Sequence, residues 1–291
     1  MGGGPSLVGS WSLEPLQLAP VAAGAVLYWR RASTLRHRGP AVAVPTRKVV
    51  LFTLGLFLIA VGLASPLEAF AEEQFFFAHM AQHVLLGDLA PLCLVAGLTG
   101  PMLRPVLALR PVERLRGLAH PLVALPLWAV NLYIWHLPVL YEGALHHDSL
   151  HALQHLLFLV CGALMWAPVI ETLPAPLWFG TAAKLGYVTV VRLVQTVLGN
   201  VFLFAGTVFY PFYEHGVDRF GISPHDDQAL AGAVMMGEGS IVTVVALVAL
   251  FLRLAREGEL RQELVERGFD PESARRAVRY GRDELVAGGR S

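Results

Sequence analysis

Seven apolar runs, each about as long as a bilayer is thick, dominate this chain, and few folds can absorb them. They cover residues 13–30, 48–64, 79–98, 119–135, 151–170, 186–208 and 229–253. A hydrocarbon core of ~30 Å needs roughly 17–25 helical residues. Inside it every backbone polar group must be satisfied within the segment, which a helix achieves and an open strand does not. The expected fold is therefore all-α, a polytopic membrane protein built as a seven-transmembrane-helix bundle. A 55% hydrophobic, 15% charged composition with mean hydropathy +0.56 lies outside the range of soluble domains. The first two runs are the shortest, and Trp11, Tyr28 and Trp29 are expected to anchor the first at the interface.

Charge alternates between the connecting loops. The segment after the first run carries Arg30, Arg31, Arg36, Arg38, Arg47 and Lys48, and that after the third carries Arg104, Arg110, Arg114 and Arg116. Lys184 follows the fifth run, and the tail from Arg253 holds nine arginines. The loops after runs two, four and six hold a single basic residue, Arg219, among acids such as Glu68, Glu72, Glu142, Asp148, Glu214 and Asp218. By the positive-inside rule the N-terminus lies outside and the C-terminus in the cytoplasm. The opening MGGGPS fits a myristoylation pattern, but an outer N-terminus sets that match aside, and no basic n-region marks a cleaved signal.

Two domains are expected: residues 1–253 as the transmembrane domain and 254–291 as a cytoplasmic helical tail. In the tail Gly268 reads as a stop and Asp270–Pro271 as an N-cap and first helical residue, giving two short helices and a turn. Cys93 and Cys161 both sit in apolar runs, so neither a disulfide framework nor a cysteine metal knuckle is available. The expected surroundings are a lipid bilayer, with no nucleic acid.

Histidine segregates opposite to arginine. Nine of the eleven histidines fall in outer loops or outer helix ends. Four of them form two copies of HxxQH, His79–His83 and His151–His155, seventy-two positions apart. Residues four apart share a helix face, so each copy points two imidazoles the same way, with the spacing of metal ligands. Both copies open helices that run inward, which puts them at matching depth and hints that helices three and four were duplicated as five and six. His37, His120, His215 and His225 read as ordinary boundary residues.

Imidazole suits zinc, copper, iron and nickel, whereas thioether sulfur favours Cu(I). Met80 beside the first pair, Met165 and Cys93 further down the same helical faces, and Met235 and Met236 on the seventh run make a graded His-to-sulfur set that suits copper. His136, His146 and His147, between runs four and five, are the first ligands an incoming ion would meet. Asp88, Arg192, Gln195, Asn200 and Glu238 are the deep polar residues. A charge at mid-bilayer costs roughly 3 kcal/mol, so they are expected to face the bundle interior, with Arg192 paired to Asp88 or Glu238.

The stretches AEEQFFFAHMAQHVLLGDLAPLCLVAG, WHLPVLYEGALHHDSLHALQHLLFLVCGALMWAPVIET and DDQALAGAVM resemble the seven-helix CtaG-type assembly factors of caa-type cytochrome c oxidase. The family motif positions are His79, Met80, His83, His136, His151, His155, Asp227 and Gln228. The chain departs from the pattern on the seventh run, where it reads Met235, Met236, Gly237, Glu238, Gly239. The resemblance implies a non-enzymatic protein of the bacterial plasma membrane that works with cytochrome c oxidase subunits, handling copper for the oxidase's metal centres.

Two rival readings remain at this stage. A bis-histidine haem protein would take one axial ligand from each HxxQH helix. A membrane di-iron oxygenase also uses HxxxH boxes, but it wants additional HxxHH boxes, which are missing, and it wants them on the cytoplasmic side.

Overall fold

A computed structural model describes Trp11 and residues 15–172, 175–213 and 221–280. MGGGPS, His215, the loop charges Glu214, Asp218 and Arg219, and residues 281–291 lie outside the described residues. Among those described the chain is helical, with no strand. The helices are α1 (Pro15–His37), α2 (Thr46–Ala64), α3 (Pro66–Glu73), α4 (Phe76–Gly97), α5 (Gly100–Leu107), α6 (Arg110–Leu115), α7 (Pro121–Trp135), α8 (Pro138–His146), α9 (Asp148–Ile170), α10 (Thr181–Phe204), α11 (Pro224–Glu266) and α12 (Pro271–Tyr280).

Five of these, α2, α4, α9, α10 and α11, are long and apolar enough to cross a membrane. A sixth qualifies if Arg110–Ala119 and Pro121–Trp135, bent by 82° at His120, count as one span. The bend has a local cause. Pro121 cannot donate a backbone hydrogen bond and starts a new helix, and the His120 side chain caps it by accepting from the Leu122 amide at 3.3 Å. The α7 segment alone rises only about 22 Å, which is short for a span.

The contacts divide the chain into two units, Met1–Ala175 with Leu193–Gly239, and Pro176–Arg192 with Ser240–Ser291. In the first, α4 is central, packing against α2 and α9, and α7 packs on α9. Pro91 lies in the middle of α4, where it removes a hydrogen bond and crowds the carbonyl four residues back, that of Gly87. The helix responds with a π-turn over Leu85–Leu89. Helix α9 meets α4 at this turn. A Cβ added to Gly162 would lie 2.1 Å from the Gly87 carbonyl oxygen and 2.9 Å from Pro91 Cγ, so only glycine allows the approach.

At the other end of α4 a basic side chain closes the helix. Lys48 Nζ donates to the carbonyls of Ala96 and Leu98 at 2.8 Å each, a cation where the helix C-terminus leaves its carbonyls unpaired, and Arg31 donates at 2.7 Å to the carbonyl of Pro101 in the first turn of α5, which Pro105 cannot bond. Tyr28, expected as an interfacial anchor, is instead buried. Its ring stacks on Phe52 at 3.8 Å and its hydroxyl donates to Gly97, because α1 lies against α2 and α4 at that level. Trp11 and Trp29 are exposed.

The second unit carries the later part of α11, from Ser240, and α12. The tail's first expected short helix is not separate: α11 continues without a break to Glu266, since no Pro or Gly cap interrupts it before Gly268, whose φ of 92° ends it. The Asp270 carboxylate then accepts from the Ser273 amide at 2.9 Å and starts α12, which docks through Ala274 and Ala277 on Leu264. That hydrogen bond holds the Asp270 carboxyl below its usual range.

Candidate metal centre

The two HxxQH copies meet. His79 and His83 on α4 and His151 and His155 on α9 each offer a ring nitrogen, and these four atoms all lie within 4.8 Å of one another. Ring centroids are 4.3 Å apart for His79–His83, 4.2 Å for His151–His155 and 5.2 Å for His79–His151. His79, His83 and His151 are buried, and His155 is half-buried. Around a tetrahedral ion with bonds of about 2.0 Å neighbouring ligand atoms are about 3.3 Å apart, so the set closes on an ion with side-chain movements of about 1 Å.

Each anchor outside the set fixes a tautomer. Tyr213 donates its hydroxyl proton to the Ala71 carbonyl (3.1 Å), so towards His79 Nδ1 (2.8 Å) its oxygen can only accept. The His79 proton is thereby held on Nδ1 and its lone pair on Nε2, which faces the other imidazoles. His151 Nδ1 lies 3.0 Å from the Glu72 carboxylate, which holds a proton there and leaves the buried Nε2 without a hydrogen bond. His155 Nε2 is likewise buried without a partner. Since His79 Nε2 carries a lone pair, the 2.9 Å contact between the two Nε2 atoms is a donation from His83 Nε2–H, and the His83 lone pair resides on Nδ1.

The frame behind these anchors comes from residues far along the chain. Asp227, at the start of α11, places one carboxylate oxygen 2.8 Å from the Phe76 amide and the other 2.9 Å from the Phe77 amide, capping the helix that bears His79 and His83. Its neighbour Gln228 clamps the preceding loop, accepting from the Phe209 amide at 2.8 Å and donating to the Thr207 carbonyl at 3.0 Å. That loop carries Tyr210, which donates to the His136 carbonyl at 2.6 Å, and Tyr213. Tyr141, 3.1 Å from Tyr213, completes the buried tyrosine group. Burial raises the phenols of Tyr141 and Tyr213 well above their ordinary range, so they stay protonated.

The other expected residues fall in different places. Met80 is fully buried. His136 is buried just past α7, with Nδ1 2.6 Å from the Leu132 carbonyl and Nε2 unpartnered, and its ring is 5.9 Å from that of His83. Burial lowers its pKa to about 4, against a smaller upward effect of that carbonyl. His147 is exposed at the N-cap of α9, and His146 is exposed with its ring against Phe212; neither is in the four-nitrogen set.

Asp88, inside the π-turn, accepts from Trp166 Nε1 at 2.6 Å and Gln195 Nε2 at 3.0 Å. Of the two acids expected as partners for Arg192, Asp88 is thus held by an indole and an amide, because α9 and α10 present neutral donors to that turn. Arg192 donates to Ser240 Oγ at 2.8 Å. Glu238 lines a cavity with Asp88 and Gln195.

The tyrosines and Glu72 were not singled out as site residues from the sequence. Tyr141 sits inside the WHLPVLYEGAL stretch and Glu72 opens the first histidine stretch, so both lay within reach; nothing local marks Tyr213. A family model described as cytochrome c oxidase caa3 assembly factor matches residues 26–257. No curated protein and no solved structure gives a match.

Proposed function

The chain belongs to the caa3-type cytochrome c oxidase assembly factor family, and from that premise we propose that it accepts copper on His79, His83, His151 and His155 and passes it on to subunits of the oxidase. The observation that carries this reading is the convergence of four imidazole nitrogens within 4.8 Å, with two of the rings oriented by Tyr213 and Glu72. A site that hands on its ion needs ligands that exchange, and neutral imidazoles release metal when protonated. In this reading the protein does no bond chemistry on its cargo.

The arginine-rich loops support an orientation with the N-terminus outside, the C-terminal tail from residue 254 in the cytoplasm, and the histidines towards the outer face of a bacterial plasma membrane. Seven spans follow if α1 and the bent α6–α7 pair both cross. His136 and His147 would then flank the route by which copper arrives.

Haem is less well served. A porphyrin held between two axial imidazoles needs an open slot between the helices, whereas the rings here lie 4.2–6.4 Å apart centre to centre. A di-iron centre wants bridging carboxylates, and among the described residues the acid that touches the set, Glu72, is engaged with His151.

The test is copper analysis of detergent-purified protein freed of tags, together with oxidase activity of cells carrying His83→Ala and His155→Ala. The expected results are bound copper in the parent protein, loss of that copper in the variant, and reduced caa-type oxidase activity. Protein that takes up neither Cu(I) nor Cu(II), in cells whose oxidase is unaffected by both substitutions, overturns the reading.

A further inference from the structure

Beneath the four-histidine set lies a cavity of about 40 Å³, room for an ion or one or two waters. Its wall includes His83 and Met80 from α4, His136 from beyond α7, and Met235 from α11. Two nitrogens of residues that line it, His83 Nδ1 and His136 Nε2, are buried and have no hydrogen bond. Both are lone-pair atoms. His136 Nδ1 must hold the proton it donates to the Leu132 carbonyl, and His83 Nε2 must hold the one it donates to His79. Two buried imidazole lone pairs without a hydrogen bond, and two thioethers, all on residues that line one cavity, make up a soft donor set.

We propose that this cavity is a second position for Cu(I), bound by His83 Nδ1, His136 Nε2 and the thioethers of Met80 and Met235, and that His83 serves the upper and lower positions in turn. The proposal rests on the copper reading of the upper site and extends it. A neutral imidazole has one lone pair, so His83 can offer Nε2 to the upper set or Nδ1 to the lower one, but not both. Moving the ion down therefore moves the imidazole proton from Nδ1 to Nε2, and the ring gains or loses no net proton. The arrangement in this structure, with the lone pair on Nδ1, is the one that suits the lower position. Because the ligand is shared, the chain holds one copper at a time. Asp88 lines the same cavity, and its carboxyl can lose its proton to balance a cation that the apolar surroundings alone would penalise.

X-ray absorption at the copper edge tests this on the full-length protein in detergent, loaded anaerobically with Cu(I). The parent protein should show sulfur as well as nitrogen in the first shell and saturate at one copper per chain. Met80→Leu with Met235→Leu, which conserves volume, should bind the same amount of copper through nitrogen alone. His136→Gln should also reduce the sulfur contribution. A parent spectrum with nitrogen only, or a sulfur shell that persists in the double methionine variant, overturns the second position while leaving the four-histidine site intact. Two coppers per chain overturn the shared ligand. No copper at all removes both this proposal and the function it extends. Should the variants fail to fold, the parent spectrum and stoichiometry decide alone.

Discussion

At the scale of single residues the site is governed by which nitrogen of each ring carries the proton. Tyr213 sets this for His79 and Glu72 sets it for His151. Outer partners of a metal-binding imidazole commonly carry a tenfold to hundredfold share of affinity. Tyr213→Phe removes the acceptor for His79 Nδ1–H while keeping the ring, so copper affinity, measured by competition with a chelator, should fall about tenfold or more, and the circular dichroism spectrum should stay unchanged. An unaltered affinity would mean that His79 is held by packing alone. A second consequence concerns pH. His136 has a folded pKa of about 4, below the unfolded value of about 6.5. Between those values the unfolded chain binds more protons, so the native state loses stability as pH falls from about 6.5 to about 4, by up to roughly 3 kcal/mol from this residue. Thermal unfolding of the metal-free protein should show that decline, and His136→Gln should make it shallower without abolishing it, because the other buried imidazoles of the site remain.

At the scale of elements, the histidine pairs were legible in the sequence and their setting was not. The i, i+4 rule is local, and two short motifs sufficed to place four imidazoles on two helix faces. The helix cap that orients the first pair comes from Asp227, 151 and 150 positions from the amides it holds, and the tyrosine that sets the tautomer lies 134 positions from His79. Pairings at that separation leave no periodic trace. The π-turn was hidden for another reason: counting at 100° per residue treats α4 as a straight helix, although Pro91 was in plain view. That turn and Gly162 act together, since the absent side chain at 162 is what lets α9 reach the distorted α4. Gly162→Ala would put a Cβ 2.1 Å from a backbone oxygen, which no rotamer relieves, so the two histidine-bearing helices must separate. The expected result is an apparent Tm lower by several degrees, in keeping with roughly 1–3 kcal/mol of overpacking, and weaker copper binding through a site whose own ligands are untouched. A variant as stable as the parent would show that the helices have slack at this crossing.

At the scale of the whole molecule, helical class and membrane character follow from the apolar runs, but the number of crossings is harder to read because length and apolarity are separate requirements. The fourth run shows this: it holds no Asp, Glu, Lys or Arg, yet Pro121 restricts the straight helix to fifteen residues. The third and fifth runs became helices with buried faces lined by histidine, which hydropathy alone does not distinguish from lipid-facing ones. Orientation rests on charge, where twenty of the 22 lysines and arginines fall on one side of the proposed topology. Ser149, exposed at the start of α9, and Ser273, exposed in α12, sit on opposite sides of that topology. With Cys93 and Cys161 replaced by Ala, Ser149→Cys should react with a membrane-impermeant maleimide on intact spheroplasts, and Ser273→Cys only after permeabilisation. The reverse pattern would put the histidines on the cytoplasmic face, and copper would then have to be drawn from the cytoplasm. Labelling of both positions from outside would mean an even number of crossings between them, and α9, α10 and α11 could not all span.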